Sequence, residues 1–309
     1  MSLKAENEAR LKLQPPRSVA VVHFSGTGGA RLVARSFEED LLQRGIQVTP
    51  KALDRSAASQ HASDEDALAD KAEALILVFA VHAFDAPDPV YRWVEEAHGG
   101  GRRTAVISVS AGGEPWPNTG CRQRVISALE GRGFVVNYEK MMVMPCNWVV
   151  AIPDGLAALL VRALPSKVAL VLNHFLAGET RRRPGRMSRS RALISKLEKL
   201  GARRFGSRVE VSEACTACGW CERNCPVVNI LLVNGKPVLG SDCVMCFRCV
   251  YGCPHGALKA HDFQVLRQGF SIPSAMKRME GIEALPPEAY CKGPLWAGVL
   301  AYLGDRDGY

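Results

Sequence analysis

The chain has 309 residues, 47% of them hydrophobic and 23% charged, which excludes a disordered protein and predicts more than one domain. The polar first 16 residues contain no apolar stretch, and the longest apolar-rich run, 156–177, is interrupted by Arg162 and Lys167, so we expect no secretory signal, no transmembrane segment and a cytoplasmic location. The net charge of +8 is concentrated in residues 179–208, where 11 Lys or Arg residues stand against two Glu, and the rest of the chain is close to neutral.

Residues 18–150 alternate strand-like and helix-like segments. Continuous apolar runs typical of buried strands are SVAVVHF (18–24), ALILVFAV (74–81) and TAVISVS (104–110), with further strand patterns in IQVTP (46–50) and FVVNYEKMMVM (134–144). Helical apolar spacing occurs over 29–45 and 121–133, and each of these segments ends at a glycine. The alternation predicts an α/β fold with a doubly wound parallel sheet, which binds ligands at the carboxyl ends of its strands.

The loop FSGTGGAR (24–31) joins the first predicted strand to the first helix and allows two interpretations. A dinucleotide-binding fingerprint needs a third glycine where Arg31 stands, and an acidic residue that the second strand does not supply. In a phosphate loop, by contrast, the Ser25 and Thr27 hydroxyls and the N–H groups of residues 26–30 bind a phosphate at the helix N-terminus. We favour the phosphate loop, whose predicted contact residues are Ser25, Gly26, Thr27, Gly28, Gly29 and Ala30.

Two further loops follow the third and fourth predicted strands, HAFDAPDP (82–89) and AGGEPWPNTG (111–120). Because both strands are predicted to be parallel to the first, these loops share the sheet edge of the phosphate loop. Phe84 and Trp116 are candidates for stacking on a flat ring. The predicted contact residues of the two loops are His82, Ala83, Phe84, Ala111, Gly112, Gly113 and Trp116.

These three loops resemble those of the flavodoxin family, and the resemblance covers residues 18–150. It implies that FMN binds with its phosphate on the first loop and its isoalloxazine ring between the two later loops. The family usually continues its phosphate loop with polar residues, whereas this chain continues with Gly29, Ala30 and Arg31. One phosphate hydroxyl is therefore lost. Two interpretations of Arg31 remain open: its charge replaces that hydroxyl, or it is a solvated helix residue.

The region 151–208 is predicted to be a helical and basic linker. Its segment RRRPGRMSRSR (181–191) has too few apolar residues to form a core and is expected to be exposed or mobile. Two interpretations remain open for the basic residues of 179–208: a surface that attracts acidic redox partners, and a solvated linker.

Two similar cysteine runs follow, CTACGWCERNCP (215–226) and CVMCFRCVYGCP (243–254), which begin 28 residues apart. In a reducing compartment, clustered thiols bind metal or carry out redox chemistry rather than form disulfides. The C-x2-C-x2-C-x3-C-P spacing is that of bacterial ferredoxins, whereas zinc sites commonly use two separated pairs of ligands. The intervening NILLVNGKPVL predicts a β-hairpin with a type I′ turn at Asn234 and Gly235.

Residues 209–260 resemble the dicluster ferredoxins. The resemblance implies two [4Fe–4S] clusters, with the fourth cysteine of each run binding the cluster of the other run. The first predicted ligand set is Cys215, Cys218, Cys221 and Cys253, and the second is Cys243, Cys246, Cys249 and Cys225. The remaining cysteines, Cys121, Cys146 and Cys291, are interpreted as lone buried thiols.

The whole chain is similar to flavodoxin–ferredoxin fusion proteins, with a C-terminal extension, 261–309, predicted to pack back on the domains. The resemblance implies an electron-transfer protein that relays electrons between the two clusters and FMN. The alternative is an FMN-dependent reductase of a small molecule or quinone, fed by the clusters. We favour the carrier because His23 and His82 border the loops without forming a proton-transfer pair. No catalytic residue and no nucleic-acid partner are therefore predicted, and the expected partners are redox proteins such as an acidic ferredoxin or flavodoxin.

Overall fold

A five-stranded parallel sheet forms the centre of the N-terminal half of the chain. The computed structural model describes residues 15–54, 69, 71–115, 118–145, 152–183, 200–202, 204–260 and 271–304. The strands of the sheet are β1 (Ser18–Phe24), β2 (Gln47–Ala52), β3 (Ala74–Ala80), β4 (Arg103–Ser110) and β5 (Val135–Val143). Their order is β2-β1-β3-β4-β5 and every adjacent pair is parallel. This is the flavodoxin-like order, and it confirms the predicted doubly wound fold.

Helices cover both faces of the sheet, which explains why the strands read as unbroken apolar runs. One face packs against α1 (Gly29–Gln43), and the other packs against α2 (Asp88–Glu96) and α3 (Gln123–Gly131). Along β1, Val19 and Val21 face the first core while Ala20 and Val22 face the second. Helix α2 was not predicted from the sequence, because it has only nine residues and begins with an Asp-Pro pair that resembles a turn.

Helix α4 (Asp154–Leu176) shares the face of the sheet that α1 covers, although its sequence was assigned to the linker. By length and composition it could cross a membrane, but half of its most apolar window is buried inside the protein. Lys167 lies buried in this helix, where its ammonium group donates to the carbonyl of Tyr302 and lies 4.8 Å from the centroid of that ring. The helix is therefore part of the core of the sheet unit.

The first residues of the basic segment are attached to the edge of the sheet rather than exposed. Arg181 pairs with Tyr138 of β5 in a parallel bridge, and the Arg182 side chain donates to Glu130 at 2.7 Å. The Arg183 backbone N–H donates to the carboxylate of Glu139 at 2.6 Å. The expectation of an exposed stretch is wrong for residues 181–183, because a buried carboxylate on β5 requires donors. Residues 184–199 lie outside the described part of the chain.

The cysteine-rich unit consists of small strands and short helices. Strand β6 (Glu210–Val211) pairs with β9 (Leu258–Lys259), and β7 (Ile230–Val233) pairs with β8 (Lys236–Leu239), both antiparallel. The short helices α5 (Trp220–Arg223) and α6 (Arg248–Gly252) each follow the second cysteine of a run. Asn234 and Gly235 join β7 to β8 with φ values of 50° and 75°, which confirms the predicted type I′ hairpin.

The C-terminal segment packs on the sheet unit through α7 (Ile272–Met279), α8 (Pro287–Tyr290) and α9 (Ala297–Leu303). Ile272, Val299 and Tyr302 are buried in the same core as α1 and α4. The Ile272 N–H also donates to the carbonyl of Thr27 at 3.0 Å, so this segment contacts the predicted phosphate loop directly.

Candidate functional site

Three loops at the carboxyl edge of the sheet surround a cavity of about 610 Å³. The predicted contact residues that line it are Ser25, Gly26, Thr27, Gly29, Ala30, His82, Ala83, Phe84, Ala111 and Gly112. Gly28 and Gly113 belong to the same loops, but their backbones pack beside Ile272 and Gly298. Trp116, the second candidate stacking residue, lies outside the described residues.

The phosphate loop has the features of an anion site. Gly28 adopts a φ of 107° just before α1, a conformation that glycine adopts readily. The first N–H groups of a helix have no acceptor within the helix, and the partial positive charge there favours an anion. The Ser25 hydroxyl is buried, with 5% of the residue exposed, and has no hydrogen-bond partner among the described residues. A phosphate oxygen would satisfy both kinds of donor.

The carbonyl groups of this loop are held by the C-terminal half of the chain. Arg248 donates to the carbonyls of Ser25 and Gly26 at 2.6 and 2.8 Å, and Ile272 donates to that of Thr27. In a trans peptide the carbonyl and the following N–H point in opposite directions. The N–H groups that follow these carbonyls are therefore directed away from Arg248 and Ile272.

The loop after β3 is a tight turn in a strained conformation. Ala83 and Phe84 have φ values of 54° and 52°, and the turn is closed by two hydrogen bonds of 3.0 Å between His82 and Asp85. Left-handed backbone costs non-glycine residues about 1 kcal/mol or more each, and such strain is concentrated at functional sites. The Asp85 carboxylate, buried beneath the turn, accepts from the Ala86 N–H, the Tyr91 hydroxyl and Arg124. Sequence reasoning missed Asp85, which gives no signal except its position in the loop.

The loop after β4 is supported by the C-terminal segment. Gly113 has a φ of 71°, and a Cβ atom there would lie 2.7 Å from the carbonyl carbon of Gly298. The two backbones therefore touch, and α9 holds the loop in place. Pro294, Leu295 and Trp296, just before α9, line the cavity as well. Sequence reasoning did not foresee that the extension helps to enclose the site.

The two cysteine runs share one backbone conformation. Ala217 and Gly219, on either side of Cys218, have φ values of 55° and 72°. Met245 and Phe247, on either side of Cys246, have φ values of 50° and 59°. Left-handed residues next to right-handed ones turn successive N–H groups towards one concave side, an arrangement that binds anions and occurs at many iron–sulfur sites.

The fourth cysteine of each run has matching hydrogen bonds as well. The Asn229 N–H donates to Cys225 Sγ at 3.2 Å, and the Ala257 N–H donates to Cys253 Sγ at 3.3 Å. Each donor follows its cysteine by four residues. Hydrogen bonds of this kind stabilise a negatively charged sulfur and tune the reduction potential of a cluster.

Most thiols that influence one another belong to the same predicted ligand set, although Cys221 of the first set also influences Cys249 of the second. Burial raises the pKa of Cys221, and the charges of Cys253 and Cys215 raise it further. In the second set, burial raises the pKa of Cys243 to about 12, and the charges of Cys246 and Cys225 also contribute. The four cysteines of the second set border a small cavity. Grouped thiolates away from water need positive charge among them, which iron ions would supply.

Within the described residues, no three His, Cys, Asp or Glu side chains are arranged around a single metal ion. In a [4Fe–4S] cube each thiolate binds a different iron atom, so the four sulfurs lie further apart than the ligands of one ion. The other thiols predicted to be buried, Cys121 and Cys291, are buried, whereas Cys146 lies outside the described residues. Burial also raises the pKa of Cys121 to about 11.

The second cysteine set borders the large cavity. Cys243, Val244, Met245 and Phe247 are among its lining residues, whereas residues 215–223 of the first run are absent from the described lining. His82 Nδ1 lies 2.9 Å from the carbonyl of Val244, which joins the loop after β3 to the second run. Among the described residues, the predicted flavin site therefore adjoins the site of the second cluster and not that of the first.

Comparison with known proteins gives fold-level likenesses only. No protein-family model matches the chain, and no curated protein matches it. A short-chain flavodoxin associated with a non-canonical PDU bacterial microcompartment is 15% identical over 51% of this chain and 98% of its own, with a TM-score of 0.36. General stress protein 14 from Treponema denticola, in complex with FMN, is 12% identical over 52% and 99%, with a TM-score of 0.38. Oxidised flavodoxin 1 from Bacillus cereus is 14% identical over 51% and 98%, with a TM-score of 0.34.

Proposed function

We propose that the protein is a cytoplasmic electron carrier that relays electrons between two [4Fe–4S] clusters and FMN. The observation that carries this proposal is the shared lining of one cavity by the phosphate loop and by the second cysteine run. FMN exchanges one or two electrons, whereas each cluster exchanges one, so a chain with both connects two-electron and one-electron chemistry.

The residues at the cavity fit FMN. The Ser25 hydroxyl and the N–H groups of residues 26–30 would hold its phosphate, and the loops that contain Phe84 and Gly112 would flank its ring. Arg31 is exposed, and its guanidinium lies 3.8 Å from the position of a Cβ atom on Gly28, but it is absent from the described lining of the cavity. That Arg31 replaces the phosphate hydroxyl therefore stays a prediction.

The two cysteine sets fit iron–sulfur clusters. Cys215, Cys218, Cys221 and Cys253 would hold the first cluster, and Cys225, Cys243, Cys246 and Cys249 the second. Two observations support this assignment: the common left-handed positions beside the second cysteines, and the N–H donors to the fourth cysteines.

The alternative, a reductase of a small molecule or quinone, needs a group that transfers protons beside the flavin. His82 directs its Nδ1 atom at the carbonyl of Val244. His23 is partly buried, and the loss of water lowers its pKa to about 4, so it carries no proton to give at neutral pH. His23 is therefore unsuited to giving a proton, whereas the contact of His82 with Val244 leaves its other ring nitrogen undecided, so we propose the carrier and keep the reductase as the alternative.

Anaerobic purification followed by iron, sulfide and flavin analysis tests the proposal. We expect about eight iron and eight sulfide per chain, as two [4Fe–4S] clusters require, together with one FMN. Stepwise reduction should bleach the broad cluster absorption as well as the flavin bands. One or two zinc ions per chain without that broad absorption would contradict the cluster assignment, and the absence of saturable flavin binding would contradict the FMN assignment.

We further propose that the partners are acidic one-electron carriers, such as a ferredoxin or flavodoxin. Since Arg181, Arg182 and Arg183 are attached to the sheet, docking would use the later cations of the basic segment. Of these, Arg204 and Arg208 are exposed in the structure. They adjoin Phe205, which is buried in the core of the cysteine-rich unit.

A further inference from the structure

Arg248 joins the second cysteine run to the phosphate loop. It is the first residue of α6, and its side chain is only 15% exposed. Its guanidinium donates to the carbonyls of Ser25 and Gly26, to the Asp54 carboxylate at 3.0 Å and to the carbonyl of Asn224 at 3.1 Å. One side chain thus connects three segments: the phosphate loop, the loop after β2 and the end of the first cysteine run.

The backbones also touch beside this arginine. A Cβ atom on Gly26 would lie 2.8 Å from the carbonyl oxygen of Cys246 and 2.9 Å from its Cβ atom. The phosphate loop therefore packs directly on a predicted ligand of the second cluster. Movement of Cys246 would displace either Gly26 or the whole loop.

The first cysteine run has no equivalent connection. The residue that stands 28 positions before Arg248 is Trp220, which packs on Gly252 inside the cysteine-rich unit. The arginine of the first run, Arg223, donates to the carbonyl of Cys218 and so stays within its own run. Only the second run therefore reaches the flavin site among the described residues.

We propose that Arg248 is a positioning residue that couples FMN binding to the assembly of the second cluster. This inference rests on the proposed function. With a cluster bound, Cys246 and Cys249 would fix the backbone on both sides of Arg248, and hence its guanidinium. The guanidinium in turn fixes the carbonyls of Ser25 and Gly26, so that the N–H groups that follow them are already oriented for the phosphate. Coupling of this kind is reciprocal, so bound FMN also stabilises the second cluster.

A cycle of variants in the full-length chain tests the coupling through the dissociation constant of FMN, measured by flavin fluorescence. Cys225→Ser removes a ligand of the second cluster and should weaken FMN binding about tenfold, within the usual range of coupling between sites. Cys253→Ser is the matched control, because Cys253 is the corresponding fourth cysteine of the other run; it should leave the constant within about twofold. In an Arg248→Gln background, Cys225→Ser should weaken binding little further, because the connection is already lost.

The design separates this inference from the proposed function. If the wild type binds no FMN, the proposed function itself is wrong. If FMN binds but Arg248→Gln changes its affinity no more than the control Arg223→Gln, or if both cysteine variants weaken FMN equally, the coupling is wrong. If Cys225→Ser does not fold, the coupling is tested in the wild type and in Arg248→Lys instead. The rate at which a chelator removes iron is measured for each protein with and without FMN. FMN should slow the loss of iron several-fold in the wild type and less in the variant, and equal effects in both would contradict the coupling.

Discussion

At the scale of single residues, the Ser25 hydroxyl is the most specific indication of an anion site. It is buried without a hydrogen-bond partner among the described residues, so it adds no hydrogen bond to the stability of the flavin-free loop. Ser25→Ala should therefore weaken FMN binding by about 1–3 kcal/mol, the range for a hydrogen bond to a charged group, without lowering the stability of the flavin-free protein. Flavin titration and thermal unfolding measure the two effects separately.

Thr27→Ala should weaken FMN binding by a similar amount, because its hydroxyl is the other predicted phosphate donor of the loop. A loss of stability in the flavin-free Ser25→Ala protein, together with unchanged FMN affinity, would show that the serine is structural and that the phosphate binds elsewhere.

His23 predicts a pH dependence of folding. Burial lowers its pKa to about 4; the charges of Arg31, Arg35 and Arg248 also lower it, while Asp54 opposes them. The unfolded chain takes up this proton below about pH 6.5, the ordinary histidine value, whereas the folded chain does not. Stability should therefore fall as the pH drops from 6.5 towards 4, by up to about 1.4 kcal/mol per pH unit from this residue.

The comparison between the wild type and His23→Asn isolates this contribution, because the other titrating groups are common to both. Chemical unfolding at pH 7 and pH 5 should show a smaller loss of stability in the variant, which has no proton to take up at this position. Parallel losses in the two proteins would mean that His23 keeps an ordinary pKa in the folded state.

At the scale of elements, strand β5 depends on a buried ion network. Arg122 is fully buried and donates to Glu139 at 2.7 Å and to Glu114 at 3.1 Å. Because breaking one partner of a buried pair leaves the other uncompensated, Glu139→Gln should destabilise the protein by about 3–5 kcal/mol. The exposed Glu130, which pairs with Arg182, is the control, and Glu130→Gln should cost less than about 1 kcal/mol. Denaturant unfolding measures both variants, and equal losses of stability in Glu139→Gln and Glu130→Gln would contradict the distinction between the buried and the exposed pair.

Elements defined by local patterns could be predicted from the sequence, whereas those defined by distant contacts could not. The strands of the sheet carry their own apolar signal, and the hairpin at Asn234 carries its own turn signal. Helix α4 was assigned to a linker because nothing in its sequence shows that α1 lies beside it. Arg183 was expected to be exposed for the same reason, since its partner Glu139 lies 44 residues away.

The candidate site also combines features that local sequence patterns predict with features that depend on distant contacts. The cysteine spacing indicated both ligand sets, and the glycine loop indicated a phosphate site. The contact between the second cysteine run and the phosphate loop depends on Arg248, whose hydrogen bond to Gly26 spans 222 residues. The closure of the cavity by residues 294–296 likewise depends on the packing of α9 against Gly113. The local sequence does not predict either contact.

At the scale of the whole molecule, the two cysteine sets face different surroundings. The second set adjoins the large cavity, whereas the first contains the exposed Cys218. In the proposed relay, the second set would exchange electrons with the flavin. A protein partner could deliver an electron to either set, because Phe205 and Gly206, which lie between Arg204 and Arg208, pack on the second set.

Exposed cations of the basic segment would attract such a partner. Loaded clusters and a flavin phosphate add negative charge, so the exposed Arg204 and Arg208 would belong to the main positive region of the surface. Attraction between exposed charges fades over a Debye length of about 8–10 Å near physiological salt, so docking should appear in the association rate. Arg204→Glu with Arg208→Glu should slow electron exchange with an acidic ferredoxin several-fold at low salt, and the difference from the wild type should shrink as salt rises.

The matched control reverses two cations at the opposite edge of the sheet, Arg17 and Lys71, which precede β1 and β3. It changes the net charge by the same amount, so any effect of total charge alone appears in both double variants. Stopped-flow mixing over a range of salt concentrations measures the rates, and iron analysis verifies that both variants keep their clusters. If the two double variants slow exchange equally, the basic segment has no special role in docking, because the partner then responds only to the charge of the whole molecule.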